Sequence, residues 1–258
     1  MGRAQVLGVI PARWASRRFP GKPLADIAGK PMIQWVWEAA RRAQTLDRLL
    51  VATDDERIYT AVQGFGGEAL LTPDTFASGS DRVAWVATRM PEFAIVANIQ
   101  GDEPLLNPAV LDAAVETLLQ DPAAEVVTLA RPVEDPSELD NVNTARVVVD
   151  HQGYALYFSR AVIPYCRDVP DVHQWPQHHL YLDQIGLYVY RREALLRFSA
   201  LPPSSLEQVE KLEQLRLLQN GIRVKVRIVE GKALCVDTPE DLEMVRRLVA
   251  AGGAARRV

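Results

Sequence analysis

Four cations, Arg13, Arg17, Arg18 and Lys22, fall on one short stretch, Arg13-Trp14-Ala15-Ser16-Arg17-Arg18-Phe19-Pro20-Gly21-Lys22-Pro23-Leu24. Like charges held that close, on a loop stiffened by Pro20 and Pro23, repel one another unless an anion sits among them. The apolar run Val6–Ile10 feeds straight into the loop and reads as a buried strand ending at Pro11. In open α/β sheets ligands bind at the C-terminal edge of the strands. A solvated basic loop is the plain alternative. The placement after a first buried strand, with Gly21 exposing backbone, favours a polyphosphate cradle. Two carboxylates complement it. Asp102 stands in Gln100-Gly101-Asp102-Glu103-Pro104, just past the apolar run Phe93–Ile99. Asp237 stands in Val236-Asp237-Thr238-Pro239-Glu240-Asp241. There Thr238, Pro239 and Asp241 read as a capped helix start, which leaves the Asp237 carboxylate unspent. Mg2+ takes one or two carboxylates together with substrate phosphate oxygens. For Asp102 a capped turn is the competing reading, and two acids beside a glycine at the productive edge favour the metal. No Ser–His–Asp or Cys–His arrangement suggests a covalent nucleophile.

These residues need a scaffold, and the periodicity supplies one. Apolar runs at Leu46–Ala52, Glu68–Leu71, Phe93–Ile99 and Glu125–Arg131 alternate with helical patterns at Met32–Ala40, Glu56–Gln63, Arg82–Arg89 and Asn107–Gln120. Strands separated by helices predict an α/β fold with a doubly wound, mostly parallel sheet. Pro31 is expected at the first position of its helix. Thr53, Asp54 and Asp55 read as caps of the next helix rather than metal ligands, and Ser78 as a cap further on. Gly64-Phe65-Gly66-Gly67 follows a helix and precedes a strand, the reverse of a phosphate-binding fingerprint, so it reads as a helix stop. Beyond residue 141 the pattern changes. Ala145–Val149 and Tyr154–Ser159 flank Asp150-His151-Gln152-Gly153, a hairpin signal. Proline-rich loops follow, then a strand at Ile185–Tyr190. Residues 141–192 therefore read as an inserted antiparallel subdomain within a single domain spanning 1–258. His173, His178 and His179 lie on that loop without ligand spacing for zinc. Leu206–Leu218 reads as one amphipathic helix with an acidic face, Gly221 as its stop, Val224–Val229 as a strand, and 250–258 as a fraying tail.

The chain has 258 residues, 48% hydrophobic and 24% charged, an ordinary globular balance. A net charge of -4 argues against nucleic-acid binding, which needs many cations on one face. Any anion site is therefore local. The isolated Cys166 and Cys235 fit a reducing compartment, and neither a signal-peptide pattern nor a membrane-spanning apolar run is present, so a cytoplasmic protein is expected.

The loop pattern Ala-Arg-x-x-Ser-x-Arg-x-Pro-Gly-Lys-Pro-Leu resembles the signature of the 3-deoxy-manno-octulosonate (Kdo) cytidylyltransferases. The resemblance continues in family order through Ser78–Arg82, Asn98–Pro104, Tyr154–Arg160, Glu210–Arg216 and Val236–Leu242. It implies a nucleotide-diphospho-sugar-transferase-like fold and the reaction of CTP with Kdo to give CMP-Kdo and pyrophosphate, for lipopolysaccharide biosynthesis. It implies Asp102 and Asp237 as ligands of Mg2+, and Arg13 and Lys22 on the phosphates. Pro11, Ala12, Ser80, Arg82 and Gln100 would join them at the nucleotide. For the sugar it implies Arg18, Arg160, Gln184, Tyr188, Glu213 and Gln214. The middle segment would carry sugar and dimer contacts, so a homodimer is expected, with no nucleic-acid or membrane partner.

Two positions depart from the family pattern. Gln184 stands where His is usual, with Asp183 before it, and Arg146 stands where Lys is common. Neither touches the cradle or the carboxylates; both bear on the sugar. A related ulosonic acid such as 8-amino-Kdo is the nearest alternative substrate. A non-catalytic nucleotide-binding homologue is the alternative from another class, disfavoured by the presence of Lys22, Asp102 and Asp237. A Rossmann dehydrogenase fails for want of Gly-x-Gly-x-x-Gly after the first strand.

Overall fold

A computed structural model describes residues 3–15, 19–231 and 234–252. The chain opens with β1 (Val6–Ala12), and a short 3-10 turn at Lys22–Leu24 leads into a two-stranded pair, β2 (Asp26–Ile27) and β3 (Lys30–Pro31). Then come α1 (Met32–Ala40), β4 (Arg48–Thr53), α2 (Glu56–Gly64), β5 (Ala69–Leu71), α3 (Gly79–Arg89), β6 (Ile95–Asn98), α4 (Pro108–Gln120) and β7 (Val126–Pro132). The second half adds β8 (Arg146–Val149), β9 (Ala155–Ser159), β10 (Leu182–Arg191), α5 (Arg192–Ala200), α6 (Ser205–Glu210), α7 (Leu215–Gln219), β11 (Val224–Ile228) and α8 (Pro239–Ala250).

The main sheet runs β11-β7-β10-β6-β1-β4-β5, with β8 attached to β10 and β9 to β8. The β1 pairings with β4 and β6, and those of β4 with β5 and β7 with β11, are parallel, as the alternation of strands and helices requires. Helices cover both faces. Ile33, Val36, Leu111 and Val115 from α1 and α4 pack on one side. Val83, Val86, Leu195 and Phe198 from α3 and α5 pack on the other. Apolar burial on both faces explains why these strands read as continuous hydrophobic runs rather than alternating ones.

Three expectations need correction. The segment 141–192 does not stand apart from the main sheet. Its last strand, β10, lies between β6 and β7 and is antiparallel to both. Its alternate residues Ile185, Leu187 and Val189 belong to the central core, so the strand cannot be peripheral. The β8–β9 hairpin joins the sheet through β8 and packs Val147 and Phe158 into the core on the α3 and α5 side, so only the loop 160–181 lies outside, around a small core of Val133, Leu139, Trp175 and Tyr181. Leu206–Leu218 is not one helix. α6 stops at Lys211, which takes a left-handed conformation with φ 55, and α7 starts only at Leu215. The turn between them carries Glu213 and Gln214, which bond partners on α3 and β10. Pro31 is the residue capping α1 rather than its first helical residue, because it still pairs with Asp26.

Other local expectations hold. Asp55 caps α2, Ser78 caps α3, and Thr238 with Asp241 closes a capping box at α8. The Asp150–Gly153 turn joins β8 to β9, with Gly153 at φ 79. Among the described residues no helix is long and apolar enough to cross a membrane.

Candidate active site

β1 and β6 are neighbours in parallel register, Val9 opposite Asn98. Both chains therefore leave the sheet at the same edge and lay the loops 11–15 and 100–104 side by side. The approach is close: a Cβ on Gly101 would sit 3.0 Å from the Pro11 carbonyl oxygen. Gly21 closes the basic loop in a left-handed conformation, φ 74, against the Trp14 ring. A cavity of about 450 Å³ opens here, lined by Pro11, Ala12, Arg13, Lys22, Arg82, Gln100, Asp102 and Asp237. The structure thus brings together residues far apart in sequence that were singled out from it. Phe76, Ser78 and Gly79 line it as well. Their residue types do not mark them as ligand contacts; a small polar run ahead of a helix is the one signal they offer.

The two carboxylates converge. The backbone N–H of Val236 donates to the Asp102 carbonyl oxygen at 2.9 Å, which fixes the 102 loop against the start of the α8 segment. Lys22 Nζ then donates to Asp102 Oδ2 at 2.7 Å, to the Val236 carbonyl oxygen at 2.9 Å and to Asp237 Oδ1 at 3.4 Å. A single ammonium held by both carboxylates shows that they reach one cation-sized point. Two carboxylates completed by phosphate oxygens suit Mg2+, so the residues present fit this metal. Among the described residues no group of three or more His, Cys, Asp or Glu side chains forms a protein-only metal cage. Lys22 is therefore not a free cation of the basic loop; it rests on the carboxylates of Asp102 and Asp237. Glu103 turns away from the cleft. It is buried, accepts from Cys235 Sγ at 3.4 Å, and burial, with help from the Asp102 charge, pushes its pKa to about 7.

Arg82 forms part of the cavity floor but is already engaged, with Nη2 2.9 Å from Asp54 Oδ2 and a second bond to Thr72 Oγ1. Gln100 Nε2 donates 2.9 Å to the Gly186 carbonyl oxygen, at the point where the β10 register shifts. That bulge leads to a polar cluster. Gln214 Nε2 donates to Gln184 Oε1 at 2.6 Å, and Gln184 Nε2 donates to Tyr188 Oη at 2.5 Å and to Thr128 Oγ1 at 3.2 Å. Ser80 is buried behind the cavity and gives its hydroxyl hydrogen to Glu213 Oε2 at 2.7 Å. Glu213 lies on the wall of an adjoining groove of about 1250 Å³ between α3, α5 and α6, which shares Arg13, Phe76 and Ser78 with the cavity.

The cytidylyltransferase family pattern matches residues 7–228. The 3-deoxy-manno-octulosonate cytidylyltransferase of Solibacter usitatus is 49% identical over 96% of this chain and 95% of its own length. That of Pseudomonas fluorescens is 50% identical over 94% of this chain and 97% of its own. This chain belongs to the 3-deoxy-manno-octulosonate cytidylyltransferase family. The solved structure of CMP:2-keto-3-deoxy-manno-octonic acid synthetase complexed with CTP matches with a TM-score of 0.90 at 42% identity, covering 96% of this chain and 100% of that one. A 4-diphosphocytidyl-2C-methyl-D-erythritol synthase from Anaerococcus prevotii, 12% identical, matches with a TM-score of 0.61, covers 96% of each chain, and shares the fold alone.

Within this cytidylyltransferase cleft the two arginines expected at the sugar carboxylate fare differently. Arg18, like Arg17, lies outside the described residues. Arg160 is spent on the backbone. Its guanidinium donates to the carbonyl oxygens of Glu210 (2.8 Å), Asn143 (2.8 Å), Val142 (3.2 Å) and Lys211 (3.3 Å), and clasps the end of α6 to the 142–143 loop. It lines neither the cavity nor the groove. We expect Arg160→Lys to lower the melting temperature, because an ammonium cannot span four carbonyls in a plane. The sugar KM of the folded variant should stay within about threefold of wild type. Steady-state kinetics beside a thermal melt checks this, and a large sugar KM effect at unchanged melting temperature would return Arg160 to the sugar site. Arg146 is likewise structural: fully buried, it donates to the Glu138 and Asn141 carbonyl oxygens and lies 3.5 Å from Asp183 Oδ1. Asp183 points away from the Gln184 cluster, as strand alternation dictates, and also pairs with Arg131 at 3.0 Å.

Proposed function

We propose that this protein transfers the cytidylyl group of CTP to the anomeric hydroxyl of Kdo, releasing pyrophosphate and forming CMP-Kdo for lipopolysaccharide biosynthesis. The observation that carries the reading is the convergence of Asp102 and Asp237 on a single cation beside the Arg13–Lys22 loop. It supports in-line attack on the α-phosphorus, a reaction governed by positioning and charge stabilisation. Mg2+ held by Asp102 and Asp237 would supply Lewis-acid polarisation of the phosphoryl group and a lowered pKa for the attacking hydroxyl. Arg13 and Lys22 neutralise the β- and γ-phosphate oxygens and the leaving pyrophosphate. Lys22 is placed to pass from the carboxylate pair to the triphosphate as those acids take up the metal. Pro11, Ala12, Gln100 and Arg82 shape the nucleotide side of the cavity. Gln184, Tyr188, Glu213 and Gln214 shape the sugar side, orienting the acceptor through fixed polar atoms.

The test is pyrophosphate release over four nucleoside triphosphates and a panel of ulosonic acids. CTP with Kdo should exceed every other pairing, and preference for another base or no sugar dependence would overturn the reading. CTP, an intracellular nucleotide, supports a cytoplasmic site of action. Val142, Leu156, Tyr165 and Leu180, large apolar side chains exposed on the 141–181 segment, support a homodimer; light scattering decides the oligomeric state.

The departure at Gln184 gives a further prediction. With Asp183 buried against Arg131 and Arg146, no extra negative charge enters the pocket to attract an amino sugar, so plain Kdo is the substrate. Gln184 itself offers a fixed donor and acceptor without titration. His at this place titrates near neutral pH and attracts an acidic sugar more strongly. Gln184→His should raise kcat/KM for Kdo relative to 8-amino-Kdo by roughly 1 kcal/mol, the scale of one altered polar contact. Competition between the two sugars at fixed CTP reads it; an unchanged ratio means that residue 184 does not read the sugar.

A further inference from the structure

Glu213 sits on the turn between α6 and α7, where no helical backbone holds it. Its carboxylate is nevertheless fixed. Ser80 Oγ donates to Oε2 at 2.7 Å, Arg216 Nη2 stands 3.8 Å from Oε1, and the Ser78 hydroxyl is a second, weaker neighbour of the carboxylate. Ser80 is held in turn. It accepts from Asn98 Nδ2 at 3.3 Å, and the buried Tyr190 phenol interacts with the same hydroxyl. Ser80 and Asn98 are both almost completely enclosed, and Ser80 does not line the cavity where the nucleotide is expected. A hydroxyl with two lone pairs and one proton can take a donor and still direct its hydrogen at the carboxylate. Asn98 is the last residue of β6, the strand that continues through Gln100 to Asp102. The strand that delivers the metal-binding acid therefore also fixes, through Ser80, a carboxylate on the groove wall.

We propose that Ser80, held by Asn98, is a positioning residue that orients Glu213 toward the acceptor sugar and makes no contact with the nucleotide. This rests on the reading that Glu213 faces the sugar. The pair ties the sugar wall to the metal-bearing strand, so acceptor and metal keep one relative geometry although α6 and α7 are joined by a turn. Burial raises the Glu213 pKa above the usual carboxyl value, and the Ser80 hydroxyl, then that of Ser78, pull it back down by bonding the charged form. The charged and titratable groups around Glu213 are Arg216 on α7, Asp81 on α3 and the phenols Tyr188 and Tyr190 on β10.

The experiment compares wild type, Ser80→Ala, Ser80→Thr, Glu213→Gln and the Ser80→Ala/Glu213→Gln double variant, with a thermal melt for each. Ser80→Ala should raise the sugar KM about tenfold and leave the CTP KM within twofold, and Ser80→Thr, which keeps the hydroxyl, should restore it. In the Glu213→Gln background Ser80→Ala should add less than a twofold change, since its partner's charge is already gone. A CTP KM that rises as much as the sugar KM, or effects that multiply in the double variant, would overturn the proposal. A second readout needs no turnover: an NMR titration of the Glu213 carboxyl, which should move to higher pH in Ser80→Ala. If wild type transfers cytidylyl to no sugar, the parent reading fails, and this titration still decides whether Ser80 holds Glu213. An unchanged Glu213 titration in a folded Ser80→Ala overturns the proposal whatever the substrate.

Discussion

Asp102→Asn and Asp237→Asn should each abolish magnesium-dependent turnover while leaving the protein folded. An amide keeps the shape of the carboxylate but not the charge that a hard cation requires. The fold does not depend on either charge. Asp102 is tied by its backbone carbonyl to the Val236 N–H, a bond that Asn retains. Asp237 stands outside the capping box that Thr238 and Asp241 make with their own side chains. Both side chains are partly exposed, at 25% and 41%, so the ion pairs with Lys22 are solvent-screened and add little stability. Activity against magnesium concentration, with a melt for each variant, checks the prediction. If both variants melt far lower yet keep full activity per folded molecule, the two acids are structural and the metal site lies elsewhere.

Lys22→Ala should lower kcat/KM by on the order of 2–4 kcal/mol, the usual cost of removing one pre-placed charge from a developing anion. The observed geometry adds a second, opposite effect. In the free protein Lys22 Nζ lies against both carboxylates proposed to hold the metal. Two like charges compete for that place, so removing the ammonium should tighten magnesium binding. The variant should therefore half-saturate at lower magnesium even as its rate falls. A wild-type rate, or a fall in rate with weaker magnesium binding, would show that Lys22 supports the acids rather than the phosphates.

Much of this site was legible from residue types and spacing, for identifiable reasons. The basic loop announced itself because clustered cations beside proline and glycine are hard to explain without an anion. Asp237 stood out because the capping residues after it were complete without it. The β–α alternation was readable because buried parallel strands are continuous apolar runs. Other features turn on long-range partners that local pattern does not carry. β10 reads as the end of a peripheral segment, and only its insertion between β6 and β7 shows it to be central. The break at Lys211 is hidden because Glu207, Glu210, Glu213 and Gln214 keep helical spacing across it, while the pull of Ser80 on Glu213 and of Gln184 on Gln214 is tertiary. Arg160 has the residue type to bind a carboxylate, and only its carbonyl partners reveal a clasp. Lys22 was expected on the phosphates, and its rest position on the acids depends on residues from three separate parts of the chain.

In the proposed reaction the sugar's anomeric oxygen attacks the α-phosphorus of CTP and pyrophosphate leaves. The most direct test supplies Kdo carrying heavy oxygen at the anomeric hydroxyl, with CTP and magnesium, and follows the products by phosphorus NMR and mass spectrometry. One pyrophosphate should form for each CMP-Kdo, with all the label in the bridge between sugar and α-phosphorus. Label in the pyrophosphate, or pyrophosphate released with no sugar joined to CMP, would contradict that reaction.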